Sequence, residues 1–163
     1  MAKLRLFSLK YTGFYMGIEF DAMDVKILDI LQADARTSLT EIGRRVHMSQ
    51  PAVAERVKRM EGAGVISGYH AKVDPAALGY GITAFVRVAN RNHDAPVAHV
   101  AAQVPEIVEC HSITGDDCNI VKVVAKSVSE LETVILKLSR CGVTSTSLIL
   151  SSSIERKALK PVG

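Results

Sequence analysis

Ser38-Leu39-Thr40-Glu41-Ile42-Gly43-Arg44-Arg45-Val46-His47-Met48-Ser49-Gln50-Pro51-Ala52-Val53-Ala54-Glu55-Arg56-Val57-Lys58-Arg59 reads as two short amphipathic helices joined by a tight turn. Leu39, Ile42 and Val46 recur at helical spacing and form one apolar stripe; Val53, Val57 and Met60 form a second. Ser38 and Glu41 have the spacing of a capping box, in which hydroxyl and carboxylate each accept from the other residue's amide. The turn falls at His47-Met48, and Ser49 is the natural N-cap of the second helix. Pro51 stands in its first turn, where a missing N–H has no intrahelical bond to lose. Gly62 and Gly64 end that helix. Upstream, Val25, Leu28 and Leu31 share a helix face and supply the third wall of a trihelical core. The pattern is that of a helix-turn-helix, whose second helix enters the major groove of DNA.

Charge partition supports a polyanionic partner. From Arg36 to Met60 there are six basic residues against two acidic ones, whereas Asp74 to Gly163 carries nine of each. The chain as a whole is +3. Positive charge is thus concentrated where a phosphate backbone needs it. Ser49, Gln50, Glu55 and Arg56, on the N-terminal part of the second helix, are the candidates for base edges. Arg44, Arg45, Lys58 and Arg59, with the hydroxyls of Thr37 and Ser38, are the candidates for phosphates.

Beyond this unit the pattern changes. Ser67 to Val73 alternates as a strand, Asp74-Pro75 breaks it, and Gly79-Tyr80-Gly81 completes a hinge-like segment. Strands are then expected at Ile82–Ala89, Val108–Ile113, Ile120–Ala125 and Thr144–Ser151, with helices at Val97–Val104 and Val128–Arg140. The order β-α-β-β-α-β is that of a ferredoxin-like unit. The expected class is therefore α+β: an N-terminal helix-turn-helix, winged-helix-like domain at 23–66, a strand and linker at 67–81, a ferredoxin-like domain at 82–155 and a tail at 156–163.

No constellation for catalysis or metal binding stands out. Asp116-Asp117 are adjacent on one loop, which reads as a polar turn, and His99 and His111 lack ligand spacing. Cys110, Cys118 and Cys141 form no CxxC and read as free thiols in a reducing cytoplasm. No apolar run approaches the roughly 18 residues that span a bilayer. We therefore expect a cytoplasmic non-enzyme without metal or cofactor. The first 22 residues hold most of the chain's aromatics, including Phe7, Tyr11, Phe14 and Tyr15. Lys10 interrupts their apolar run and no small-residue cleavage site follows, which excludes a secretory signal. An arm that packs on a partner subunit and a mis-assigned start, with Met23 as the first natural residue, both remain open.

The run from Met23-Asp24-Val25-Lys26-Ile27-Leu28 through Glu55-Arg56-Val57-Lys58-Arg59-Met60-Glu61 to Gly64-Val65-Ile66-Ser67-Gly68-Tyr69 resembles the Lrp/AsnC family of "feast/famine" transcription regulators. The resemblance extends over roughly Met23 to Ser153. It implies a DNA-binding regulator of amino-acid or related metabolism genes, a homodimer that assembles further to a tetramer or octamer, and a palindromic binding site. It also implies a small amino-acid effector held between subunits by the loop after the second strand of the regulatory domain. Thr114-Gly115-Asp116 match that loop, with Asp117 beside them, and Thr146 matches a hydroxyl on the last strand. Relatives carry aromatic-Asp-aromatic where this chain has Asp117-Cys118-Asn119, and Leu148 replaces a common second hydroxyl. Three other readings stay open. One is a tetrapyrrole (sirohaem-type) decarboxylase relative, marked by a Soret band and turnover on haem addition. Another is an amino-acid-binding module with no affinity for DNA at low salt. The third is a DNA organiser that answers to no ligand.

Overall fold

Among the residues that the computed structural model describes, 19–89, 96–116 and 118–162, the chain divides into two units. One holds residues 19–71 together with 156–162, the other residues 72–155. The C-terminal tail, residues 156–162, groups with the helices.

The first unit contains α1 (Ala22–Ala33), α2 (Leu39–Val46) and α3 (Gln50–Gly62). Each begins on a side chain that accepts an orphan amide: Asp21 from Met23 and Asp24, Ser38 from Glu41, and Ser49 from Ala52. The complete capping box lies at α1, where the Asp24 carboxylate also accepts from the Asp21 amide. At Ser38 only half of the expected box forms, because Glu41 turns its carboxylate to Arg44 and Arg45 instead. Ile27, Leu28, Ile42, Val46, Val53, Val57 and Met60 make the core. The α1 stripe is rotated from the expected one: Ile27 is fully buried and Val25 only partly so. Asp24, also fully buried, shares that inward face.

The second unit is β1 (Ile82–Ala89), α4 (Val97–Ala101), β2 (Ile107–Ser112), β3 (Asn119–Ala125), α5 (Val128–Ser139) and β4 (Val143–Leu148). The sheet order is β2-β3-β1-β4, with every neighbouring pair antiparallel. Alternation in the two central strands builds its core. Ala84, Val86 and Val88 of β1 and Val121, Val123 and Ala125 of β3 point to one face, where Val97, Leu131, Val134 and Leu138 of the helices cover them. Each fully buried Val or Leu side chain there contributes about 1.5–3 kcal/mol. Helix α4 stops at Ala101 rather than Val104, although Val104 still reaches the core.

The strand expected at Ser67–Val73 does not form. Residues 67–74 are all exposed and lie in no sheet. Alternation is a preference for extended backbone, but a strand also needs a ladder partner, and among the described residues none pairs with this segment. Among the described residues no wing strand accompanies the three helices.

Candidate nucleic-acid interface

The geometry of the helix-turn-helix rests on one close approach. The turn residue His47 takes the left-handed conformation (φ 56°, ψ 44°), and the Met48 amide donates back to the Gly43 carbonyl at 2.9 Å. This brings the chain so near to α2 that a Cβ on Gly43 would stand 2.5 Å from the Met48 carbonyl oxygen. Only glycine fits, because the obstructing atom is backbone. Gly43 passed unnoticed in the sequence, where a glycine inside a helical stripe reads as a mere weakness.

From this turn α3 emerges with Gln50, Glu55 and Lys58 exposed, opposite buried Val53, Val57 and Met60. Ser49 is exposed at its N-terminus while its hydroxyl caps the helix at 3.4 Å from the Ala52 amide. Thr37 is half-buried just before α2.

The arginines behave differently from the lysine. Arg56 Nη1 donates to Asp21 Oδ2 at 2.6 Å and to Asp24 Oδ1 at 2.9 Å, and Arg59 Nη2 donates to Asp24 Oδ2. Both side chains reach across to the start of α1. The Asp24 amide first, and then Arg56, hold the Asp21 carboxyl below its ordinary range, while Asp21 and Asp24 raise the Arg56 guanidinium. On α2, Arg44 makes two bonds to Glu41 at 2.8 Å and Arg45 one at 2.7 Å. Arg44 above all, then Arg45, pull the Glu41 carboxyl down to about 2. Four of the six cations counted between Arg36 and Met60 are thus paired in the fold, with three carboxylates between them. Asp21 and Asp24 escaped that count because they lie outside the window.

The second group of candidates sits on the sheet unit. Thr114, Gly115 and Asp116 are exposed on the loop joining β2 to β3, with Gly115 at φ 108° and nothing within 4 Å of where its Cβ would be. Asp117 lies outside the described residues. Thr146 is exposed on β4, paired with Val86 of β1. Edge strands β2 and β4 are three strand spacings apart, roughly 14 Å. The loop leaves the sheet between β2 and β3, and Thr146 lies on β4 at the opposite edge. No group of three or more His, Cys, Asp or Glu side chains among the described residues is arranged to hold a metal ion, and no described helix is long and apolar enough to cross a membrane.

Comparison with known proteins places both units. Residues 20–61 match the AsnC-type helix-turn-helix domain and residues 83–159 the Lrp/AsnC ligand binding domain. The HTH-type transcriptional regulator LrpC of Bacillus subtilis is 33% identical over 135 residues, covering 82% of this chain and 94% of its own. The glutamate uptake regulatory protein of Zymomonas mobilis is 32% identical over 138 residues, 82% of this chain and 84% of that one. The solved structure of B. subtilis LrpC superposes with a TM-score of 0.79 at 32% identity, over 85% of this chain and 100% of that one. A transcriptional regulator of Neisseria meningitidis, solved as an L-Met complex, does so with a TM-score of 0.78 at 27% identity, over 86% and 96%.

Proposed function

Because this chain belongs to the Lrp/AsnC family of helix-turn-helix transcription regulators, we propose that it controls amino-acid or related metabolism genes by laying α3 in the major groove of a palindromic site. The observation that carries this reading is the close turn at Gly43, which sets α3 outward with Gln50, Glu55 and Lys58 bare. Ser49, Gln50 and Glu55 face base edges, while Lys58 and the fork of Arg44 and Arg45 hold phosphates. Thr37 and Ser38 add hydroxyls to the same backbone. Arg56 and Arg59 take another part from the one their sequence position suggests. Tied to Asp21 and Asp24, they fix the angle of α3 against α1 and act on DNA through that placement.

Two copies, and assemblies of such dimers, match the symmetry of the site, with half-site centres about 10 base pairs or a multiple apart. The effector is a small amino acid. The open backbone at Gly115 suits its carboxylate and Asp116 its ammonium group, and the ligand that also touches Thr146 lies between copies. The L-Met complex of the Neisseria regulator supports this ligand class. Regulation of this kind calls for no catalytic step, no metal and no membrane, and places the protein in the cytoplasm.

Selection of duplexes from a random pool tests the reading. Enrichment of a two-fold symmetric sequence is the expected result, and a pool that stays unsorted would overturn it. On the selected site, Gln50→Ala is expected to cost about 1–3 kcal/mol of discrimination between bases. Arg56→Ala is expected to weaken selected and random duplexes alike. A thermal-melt screen against the twenty amino acids tests the effector: at about 100 times its dissociation constant a true ligand adds about 2.7 kcal/mol.

A further inference from the structure

The C-terminal segment is held to the helical unit by a side chain that imitates a strand. The Gln32 amide of α1 donates through Nε2 to the Leu159 carbonyl at 2.8 Å, and its Oε1 accepts from the Leu159 amide at 2.8 Å. Both backbone groups of one residue are thereby satisfied by one amide, so the anchor fixes both the position and the direction of the chain. The Leu159 side chain plays no part in it and is 79% exposed.

What this anchor delivers is charge. Residues 156–163 contain Arg156, Lys157 and Lys160 and no acidic residue. All three cations are exposed, and none pairs with a carboxylate among the described residues. The described helices carry little net positive charge of their own. Residues 19–71 hold seven Lys and Arg against eight Asp and Glu, a net charge of −1. Arg56 and Arg59 are committed to Asp21 and Asp24, while Arg44 and Arg45 share the one carboxylate of Glu41. A duplex carries about one negative charge per 1.7 Å of axis, and the affinity of a reader comes largely from neutralising it.

We propose that residues 156–162 form a second DNA-contacting arm, docked on α1 through Gln32, in which Arg156, Lys157 and Lys160 bind duplex phosphates without regard to sequence. The arm adds three positive charges to residues 19–71, whose own sum is −1, and none of the three has a carboxylate partner among the described residues. It rests on the DNA-binding reading above and extends the contacting surface beyond the helix-turn-helix.

Salt dependence of binding decides it, measured on the full chain with a random-sequence duplex. Each phosphate contact contributes about 0.9 to the slope of log affinity against log salt. The variant Arg156→Gln/Lys157→Gln/Lys160→Gln is expected to melt with the parent chain and to show a slope shallower by about 2–3 units. Gln32→Ala keeps every cation but frees the arm, and is expected to fall between the two. A triple variant with the parent's slope overturns the arm. A Gln32→Ala chain indistinguishable from the parent overturns its docking. Failure of the parent chain itself to bind the duplex at low salt would instead strike at the DNA-binding reading.

Discussion

The two units solve the problem of burying a core in opposite ways. The sheet unit uses apolar alternation, with Ala84, Val86 and Val88 of β1 facing Leu131, Val134 and Leu138 of α5. The helical unit places a fully buried carboxylate, Asp24, on the inward face of α1 and satisfies it with an amide and two guanidiniums from α3. A buried ion cluster contributes little net stability compared with well-packed apolar groups, but it is intolerant of losing a member. It also fixes direction, which apolar contacts do not. The unit that must present a helix at a set angle uses polar geometry; the unit that must be solid uses packing.

That contrast can be broken by measurement, beginning with the largest effect. Leu138→Ala removes a fully buried side chain from the sheet core and is expected to cost about 3–4 kcal/mol in the calorimetric transition of that unit. If DNA binding at low temperature falls with it, the two units do not divide stability and recognition as described. Gly43→Ala comes next, at about 2–3 kcal/mol, because the added methyl meets the Met48 carbonyl rather than a movable side chain. Hydrogen exchange should show the loss in α2 and α3 amides. A tolerated alanine would mean that the turn can open without harm.

Asp24→Asn follows, at about 2 kcal/mol, discounted from a fully buried pair because Arg56 and Arg59 keep 25% and 49% of their side-chain surface in water. It should weaken DNA binding on all sequences, whereas a change in base preference would return Arg56 to the groove. The smallest effect is in pH. Glu41 has its carboxyl lowered from 4.5 to about 2 in the folded chain. Its contribution is therefore complete above about pH 4.5 and lost as pH falls through about 2. Glu41→Gln should flatten that part of the acid limb and leave neutral pH almost untouched.

The regions also differ in how much could be read in advance. In the sheet unit β1 falls where alternation puts it, Ile82 to Ala89, and the other strands within a few residues, because in the central strands β1 and β3 every second residue is apolar to meet the helices. In the helical unit the caps Ser38 and Ser49 and the buried faces of α2 and α3 were legible, since those signals act within a few residues. The α1 face was misjudged because Asp24 and Ile27 share it, and a carboxylate does not read as buried until its partners are known. Those partners, Arg56 and Arg59, lie 32 and 35 residues away. The same distance hid the true state of the basic helix, whose charges had been counted without Asp21 and Asp24.

What the amino-acid sequence determined by itself was therefore everything governed by local rules: the period of each element, its caps, and the order helix-turn-helix then β-α-β-β-α-β. What only the tertiary structure decided was where charge is free and where it is spent. Arginines chosen for their position on α3 turned to α1, a tail of no apparent purpose was seated on Gln32, and an alternating segment at Ser67–Val73 stayed unpaired. The reason is physical. Capping and periodicity act between residues a turn apart, whereas an ion pair or a strand ladder exists only when the fold brings a distant partner within about 3 Å.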